Sequence, residues 1–161
     1  MGKPKFVADG MLGKISRWLR MLGYDVKYST KFTDEELMKI AKTEGRILLT
    51  RDQELFKRAD SQNTTTALVE GSSDPETLAK LASLFHLRLD VDVSVSRCPK
   101  CNEQIVPALR EEVLGKVPEG TLKQYKDFWK CPNCGQIYWQ GSHWRRIRET
   151  LNSAKKLVSE R

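Results

Sequence analysis

Short apolar runs alternate with helical patterns over the first half of the chain. Four strands are predicted, at residues 5–8, 24–28, 46–50 and 65–69. Each is followed by a segment with apolar residues at helical spacing, at residues 11–23, 33–45, 52–59 and 74–85. Because strands and helices alternate in this way, the pattern predicts an α/β fold with a mostly parallel sheet flanked by helices.

The predicted helices carry recognisable start signals. Thr33 and Glu36 have the spacing of a capping box, in which each side chain accepts a hydrogen bond from the other residue's backbone N–H. Asp74-Pro75 places a proline in the first turn of a helix, where its missing N–H costs nothing. The continuous apolar run Ile47–Leu49 is typical of a central strand that is covered on both faces.

The second half of the chain loses this alternation and contains all 4 cysteines. They form two pairs, Cys98-Pro-Lys-Cys101 and Cys131-Pro-Asn-Cys134. Two such knuckles supply the four thiolates that a structural Zn²⁺ prefers, and the long interval between them predicts a zinc ribbon with an insertion. Two disulfides or an iron site are the alternatives; a cytoplasmic location, expected because no signal peptide is evident, favours the metal.

The chain ends in a basic segment, residues 143–161, whose pattern predicts a helix. Its apolar residues Ile147, Leu151, Ala154 and Val158 fall on one helical face. We therefore predict two domains, an α/β domain over residues 1–92 and a zinc ribbon with a C-terminal helix over residues 93–161. No apolar run is long enough to span a membrane.

Positive charge is concentrated in the second domain. The net charge is +7, and residues 97–161 account for +6 of it. A basic module that also carries aromatic side chains is typical of nucleic-acid binding, because bases stack on aromatic rings while cations hold the phosphates. A basic surface that only keeps the protein soluble is the alternative. The candidate contacts in this module are Lys130, Trp139, His143, Trp144, Arg145 and Arg146.

Acidic residues follow three of the predicted strands. Asp9 comes directly after the first, Asp34 begins the helix after the second, and Asp52 follows the third. Since the carboxyl ends of parallel strands meet at one edge of a sheet, these carboxylates are expected to converge. Clustered carboxylates suit Mg²⁺ or Mn²⁺, although each could also be an ordinary turn or first-turn residue. The sequence leaves open whether Asp34 or Glu35 faces the site.

Three cations recur every three residues along the first predicted helix. Lys14, Arg17 and Arg20 would lie near Asp9 and are candidates to hold the phosphates of a nucleic-acid strand. A solvated helix face is the alternative reading.

Several motifs follow one another along the chain: the segments 6–14, 18–25 and 47–52, both cysteine knuckles, and the segment Trp139–Trp144. Between about residues 4 and 148, these motifs resemble the Mut-seven C-terminal RNase domain family. The resemblance implies a PIN-like nuclease domain fused to a zinc ribbon. It matches Asp9, Asp34 and Asp52 to the family's acidic active-site residues, and it places Arg17 and Thr50 near them. A fourth acid of the PIN-like pattern is not evident.

The resemblance therefore implies a metal-dependent ribonuclease with catalytic Mg²⁺ or Mn²⁺ and structural Zn²⁺. Its partner would be RNA, such as tRNA or ribosomal RNA, and PIN-like domains often form homodimers. An RNA- or ribosome-binding adaptor with a vestigial acidic site is the main alternative. A protein-interaction module that docks through its basic tail helix is a third.

Overall fold

Four short parallel strands form the centre of the first module. The structure is a computed structural model that describes residues 2–160, so the predicted domains' outermost residues, Met1 and Arg161, lie outside it. In spatial order β2-β1-β3-β4, the strands are β1 (Phe6–Ala8), β2 (Val26–Tyr28), β3 (Ile47–Thr50) and β4 (Thr66–Leu68). Every neighbouring pair is parallel, which confirms the predicted sheet.

Helices cover both faces of this sheet. They are α1 (Gly13–Met21), α2 (Asp34–Glu44), α3 (Gln53–Ser61) and α4 (Asp74–Phe85). Alternate residues of β1 enter different apolar clusters: Phe6 packs with residues of α1 and α4, whereas Val7 packs with residues of α2 and α3. This division produces a three-layer α/β module and places the carboxyl ends of all four strands at one edge.

The second module is a small antiparallel sheet. Its strands are β5 (Val106–Ala108), β6 (Phe128–Lys130) and β7 (Ile137–Tyr138). The insertion between the cysteine knuckles contains two short helices, α5 (Arg110–Val113) and α6 (Glu119–Gln124). They share a small core with the sheet, built around Val113, Leu122, Phe128 and Ile137.

The last helix, α7 (Trp144–Ser159), packs on the first module rather than on the ribbon. Leu151 and Ala154 of α7 are buried in the same apolar cluster as Leu78 and Leu81 of α4. The sequence prediction grouped this helix with the ribbon, whereas the structure makes it part of the α/β core. Within residues 2–160, no helix is both long and apolar enough to cross a membrane.

Candidate functional site

Thr50 connects two of the three predicted acidic residues. Its buried hydroxyl donates a hydrogen bond to Asp9 Oδ2 at 2.8 Å and accepts one from the backbone N–H of Asp52 at 3.0 Å. This contact forms because β1 and β3 are neighbours, and the backbone N–H of Asp9 also bonds to the carbonyl of Leu49. The carboxyl ends of β1 and β3 thus form one hydrogen-bonded unit.

Asp52 is also the N-cap of α3. Its Oδ1 accepts hydrogen bonds from the backbone N–H groups of Glu54 (2.9 Å) and Leu55 (3.3 Å), which the first helical turn would otherwise leave unpaired. Among the hydrogen bonds of residues 2–160, none reaches Asp52 Oδ2 or Asp9 Oδ1. Each carboxylate therefore keeps one oxygen free for a ligand.

Asp34 lies close enough to these two carboxylates to interact with them electrostatically. Partial loss of hydration and the negative charges of Asp9 and Asp52 raise its pKa. The neighbouring Glu35 instead forms an ion pair with Arg58 of α3, with 3.0 Å between Oε1 and Nη2. Of the two acids that the sequence could not distinguish, Asp34 is thus grouped with the other carboxylates.

The carboxylate oxygens of Asp9, Asp34 and Asp52 do not all lie as close together as the ligand atoms of a single metal ion. Within the described part of the chain, only the four cysteines form a group of three or more metal-ligating atoms that lie within 4.8 Å of one another. The acidic edge is therefore not a closed set of ligands for a single ion.

Two predicted phosphate-binding cations have different environments on α1. Arg17 is exposed, whereas the ammonium of Lys14 lies 3.1 Å from the carboxylate of Asp74. The indole N–H of Trp18 donates to the same carboxylate at 3.1 Å. Asp74 begins α4, which follows β4, so it lies at the same edge of the sheet as Asp9. The sequence did not single it out, because its Asp-Pro context is explained by helix capping alone.

The third predicted cation of α1, Arg20, is buried at 5% exposure. Its guanidinium donates to the carbonyls of Val26 (2.8 and 3.0 Å) and Pro99 (2.9 Å). Arg20 therefore has a structural role. The sequence prediction that it contacts RNA is corrected, because its guanidinium is buried and bound to backbone carbonyls. Pro99 lies within the first cysteine knuckle, so Arg20 fastens the ribbon to the first module.

A second fastening involves Asn102, just beyond the same knuckle. Its amide donates to Asp25 Oδ1 at 2.7 Å and accepts from the backbone N–H of Val26 at 3.0 Å. Burial opposes ionisation of Asp25, but hydrogen bonds from Arg46 and Asn102 outweigh it and lower the pKa of that carboxyl. The joint between the modules is thus an ordered polar network.

The four cysteines are free and converge from the two knuckles. The sulfurs of Cys98 and Cys134 lie 3.6 Å apart, and those of Cys101 and Cys131 lie 3.3 Å apart. Ligands of a tetrahedral Zn²⁺ would be separated by about 3.8 Å, given Zn–S bonds of about 2.3 Å. These separations suit thiolates around one ion and are too long for the alternative of two disulfides.

The surroundings of the sulfurs also fit a metal. The backbone N–H of Cys134 points at the sulfur of Cys131 (3.4 Å), as expected of a knuckle, and the Tyr138 hydroxyl lies 3.0 Å from the sulfur of Cys98. Burial raises the pKa of Cys98 and Cys131 and also opposes ionisation of Cys101, but hydrogen bonds from Asn133 and the backbone of Glu103 lower the Cys101 pKa to about 6. The site can therefore bind zinc.

The predicted RNA contacts of the ribbon and tail differ in accessibility. His143, Arg145 and Arg146 are exposed at the start of α7. Lys130 forms an ion pair with Glu112. The two tryptophans, Trp139 and Trp144, are half-buried.

The chain matches a known protein family over both modules. A family model described as the Mut7-C RNAse domain matches residues 4–151, which is most of the chain. The chain belongs to this family. Membership supports a ribonuclease-type function at the level of the Mut7-C family, with RNA as the substrate class. No curated protein and no solved structure matches the chain.

Proposed function

We propose that this protein is a metal-dependent ribonuclease whose active site is formed by Asp9, Asp34 and Asp52. The observation that carries the proposal is that Thr50 hydrogen-bonds to both Asp9 and Asp52, while the carboxylate of Asp34 lies close enough to be repelled by both aspartates. Carboxylates that repel one another favour a cation between them. Membership of the Mut7-C family supplies the substrate class.

The donor set suits Mg²⁺ or Mn²⁺ better than a softer metal, because all three side chains offer oxygen. Asp9 Oδ1 and Asp52 Oδ2 are the free oxygens, and Asp34 would complete the set. Such an ion would supply an activated water and would neutralise the charge that develops on the phosphate.

The protein's own contribution is to position these groups. The buried Thr50 hydroxyl fixes the orientation of Asp9, and the N-terminus of α3 fixes that of Asp52. Arg17, exposed on α1, would contact a phosphate of the bound strand, and Lys14 would do so by exchanging Asp74 for the phosphate. Because Asp9 and Asp52 are already oriented, the site needs little rearrangement when substrate arrives.

The second module would hold the RNA. We propose that Zn²⁺ bound by Cys98, Cys101, Cys131 and Cys134 stabilises the ribbon. The ribbon would offer Lys130, Trp139 and His143 to the strand, and the start of α7 would offer Trp144, Arg145 and Arg146. Lys130 would have to leave Glu112 to take part. A tRNA or ribosomal RNA substrate, a cytoplasmic location and a homodimer remain predictions.

Incubation of the purified protein with a mixed RNA pool, with and without Mn²⁺, tests the proposal. Cleavage that requires Mn²⁺ and is lost in Asp52→Asn supports it. Salt-dependent binding without cleavage would instead favour the noncatalytic adaptor. An Asp60→Asn variant is the matched control, because Asp60 is an exposed acid near the other end of α3.

A further inference from the structure

An apolar pocket of about 170 Å³ lies where the ribbon, the end of α1 and the start of α7 meet. Aliphatic and aromatic side chains share its lining, and the aromatic ones are Trp129, Tyr138, Trp139, His143 and Trp144. Both modules contribute to it, so the pocket depends on the joint made by Arg20 and Asn102.

The aromatic walls are held in place by their neighbours. Trp129 and Tyr138 are directly paired across β6 and β7, and Trp129 also packs beside Cys98 and Cys131. The Trp139 ring packs against Phe128, with 6.2 Å between centroids. Since these rings are already packed on one side, a flat ligand in the pocket would contact ordered surfaces.

The absence of a side chain at Gly141 allows the backbone to lie close to the rings of Trp139 and His143. A Cβ added to Gly141 would lie 2.8 Å from Nε1 of Trp139 and 3.3 Å from Nδ1 of His143. Both contacts are closer than ordinary packing, so only glycine allows these two rings their present positions. The turn before α7 therefore shapes this wall of the pocket.

Cations adjoin the aromatic lining. Arg97 lines the pocket, and its guanidinium donates to the carbonyl of Asn102 at 2.9 Å. Arg148 is exposed one helical turn beyond Trp144, so both lie on the same side of α7. The pocket is thus apolar inside and flanked by positive charge.

We propose that this pocket receives one unpaired nucleobase of an RNA strand whose adjacent phosphates contact Arg97 and Arg148. An apolar aromatic pocket favours a flat ring, whereas the flanking cations require negative charge outside it, and a nucleotide within a strand combines the two. This inference rests on the proposed function, since it assumes that the protein binds RNA. It adds that the binding is to single-stranded RNA and depends on a base.

The test compares two probes on the Asp9→Asn protein, which removes cleavage from the measurement. One is a single-stranded RNA of about ten nucleotides, a length within the usual range of strand-binding sites. The other is the same ribose-phosphate strand without bases. The proposal expects the complete RNA to bind about tenfold more tightly, since stacking of one base typically contributes about 1–3 kcal/mol. Equal affinities would overturn it.

Three variants locate the effect. Trp144→Leu removes an aromatic wall, and Val93→Phe fills the pocket. Each variant should weaken binding of the complete RNA about tenfold and leave binding of the abasic strand unchanged. Arg148→Gln should weaken both strands and reduce the salt dependence of binding. Lys42→Gln, an equal loss of charge in the last turn of α2, is the control and should change neither. Loss of abasic-strand binding in Val93→Phe would contradict a base pocket.

These outcomes are separable from failure of the proposed nuclease activity. Metal-dependent cleavage by the unmodified protein together with equal binding of both strands would reject the pocket and retain the ribonuclease. Base-dependent binding without cleavage would retain the pocket and reject the catalytic site. Absence of binding to either strand would reject the pocket.

Discussion

The Thr50 hydroxyl donates a hydrogen bond to the carboxylate of Asp9 across 2.8 Å, joining the ends of β3 and β1. Because Thr50 is fully buried, this contact is shielded from competing water. The same oxygen accepts the backbone N–H of Asp52, so a single side chain orients two of the acidic residues.

Thr50→Val should therefore impair the site. It replaces the hydroxyl with a methyl group of similar size and leaves the N–H of Asp52 without its acceptor, at a cost of about 1–3 kcal/mol in unfolding free energy. Loss of a partner that orients a metal-binding carboxylate typically reduces activity about 10–100-fold. Cleavage rate and urea unfolding measure the two effects. Thr50→Ser keeps the hydroxyl and should recover most of the rate; no recovery would argue against the hydrogen bond.

Arg17 and Arg20 provide a matched pair on one helix. Arg20→Gln removes a buried guanidinium that serves two carbonyls, so we expect its unfolding free energy to fall by about 1–3 kcal/mol for each carbonyl left unpaired. Arg17→Gln changes an exposed side chain and should stay within about 0.5 kcal/mol of the unmodified protein, but should weaken RNA binding. Urea unfolding and RNA titration measure the two effects. If Arg20 were the RNA contact, Arg20→Gln would weaken RNA binding more than Arg17→Gln and would lower the unfolding free energy less.

The pKa of Asp34 reports on its neighbours. Burial and the charges of Asp9 and Asp52 raise this pKa, so Asp9→Asn should lower it, as measured by carbon NMR of the carboxyl group. Since the folded-state pKa lies above the unfolded one, ionised Asp34 destabilises the fold above the folded pKa, and this penalty disappears as the pH falls to the ordinary aspartate range. Asp60→Asn should leave the pKa of Asp34 unchanged. An equal shift in both variants would show that the acids are not specifically coupled.

Removal of zinc should destabilise β2 of the first module as well as the ribbon. Chelation releases the first knuckle, and the hydrogen bond from the Val26 N–H to Asn102 depends on the knuckle's position. Hydrogen exchange should therefore accelerate at Val26 of β2, while amides of β3 stay protected because their core is independent of the ribbon. Unchanged exchange at Val26 would show that the joint survives without metal.

The α/β sheet was predictable because its signals are local. The continuous apolar run of β3 and the capping box of α2 require no knowledge of distant residues. The helices α5 and α6 were not predicted, because they are too short to show a helical period.

The candidate site shows where sequence reasoning stops. Each step of three residues along a helix falls about 60° short of a full turn, so Arg20 is rotated by about 120° from Lys14 and enters the protein interior. The choice between Asp34 and Glu35 depends on Arg58, whose position next to α2 is set by tertiary packing. Similarly, only the packing of α4 against α7 shows that the tail helix belongs with the first module.

The central claim is that the acidic edge cleaves RNA with the help of a divalent cation. The most direct measurement is the rate of RNA cleavage in Mn²⁺ by the unmodified protein, by Asp9→Asn and by Asp60→Asn, purified in parallel and matched for zinc content and circular dichroism. We predict that Asp9→Asn falls to the background rate, whereas Asp60→Asn cleaves at the rate of the unmodified protein. Cleavage by Asp9→Asn at the unmodified rate would contradict the proposed active site.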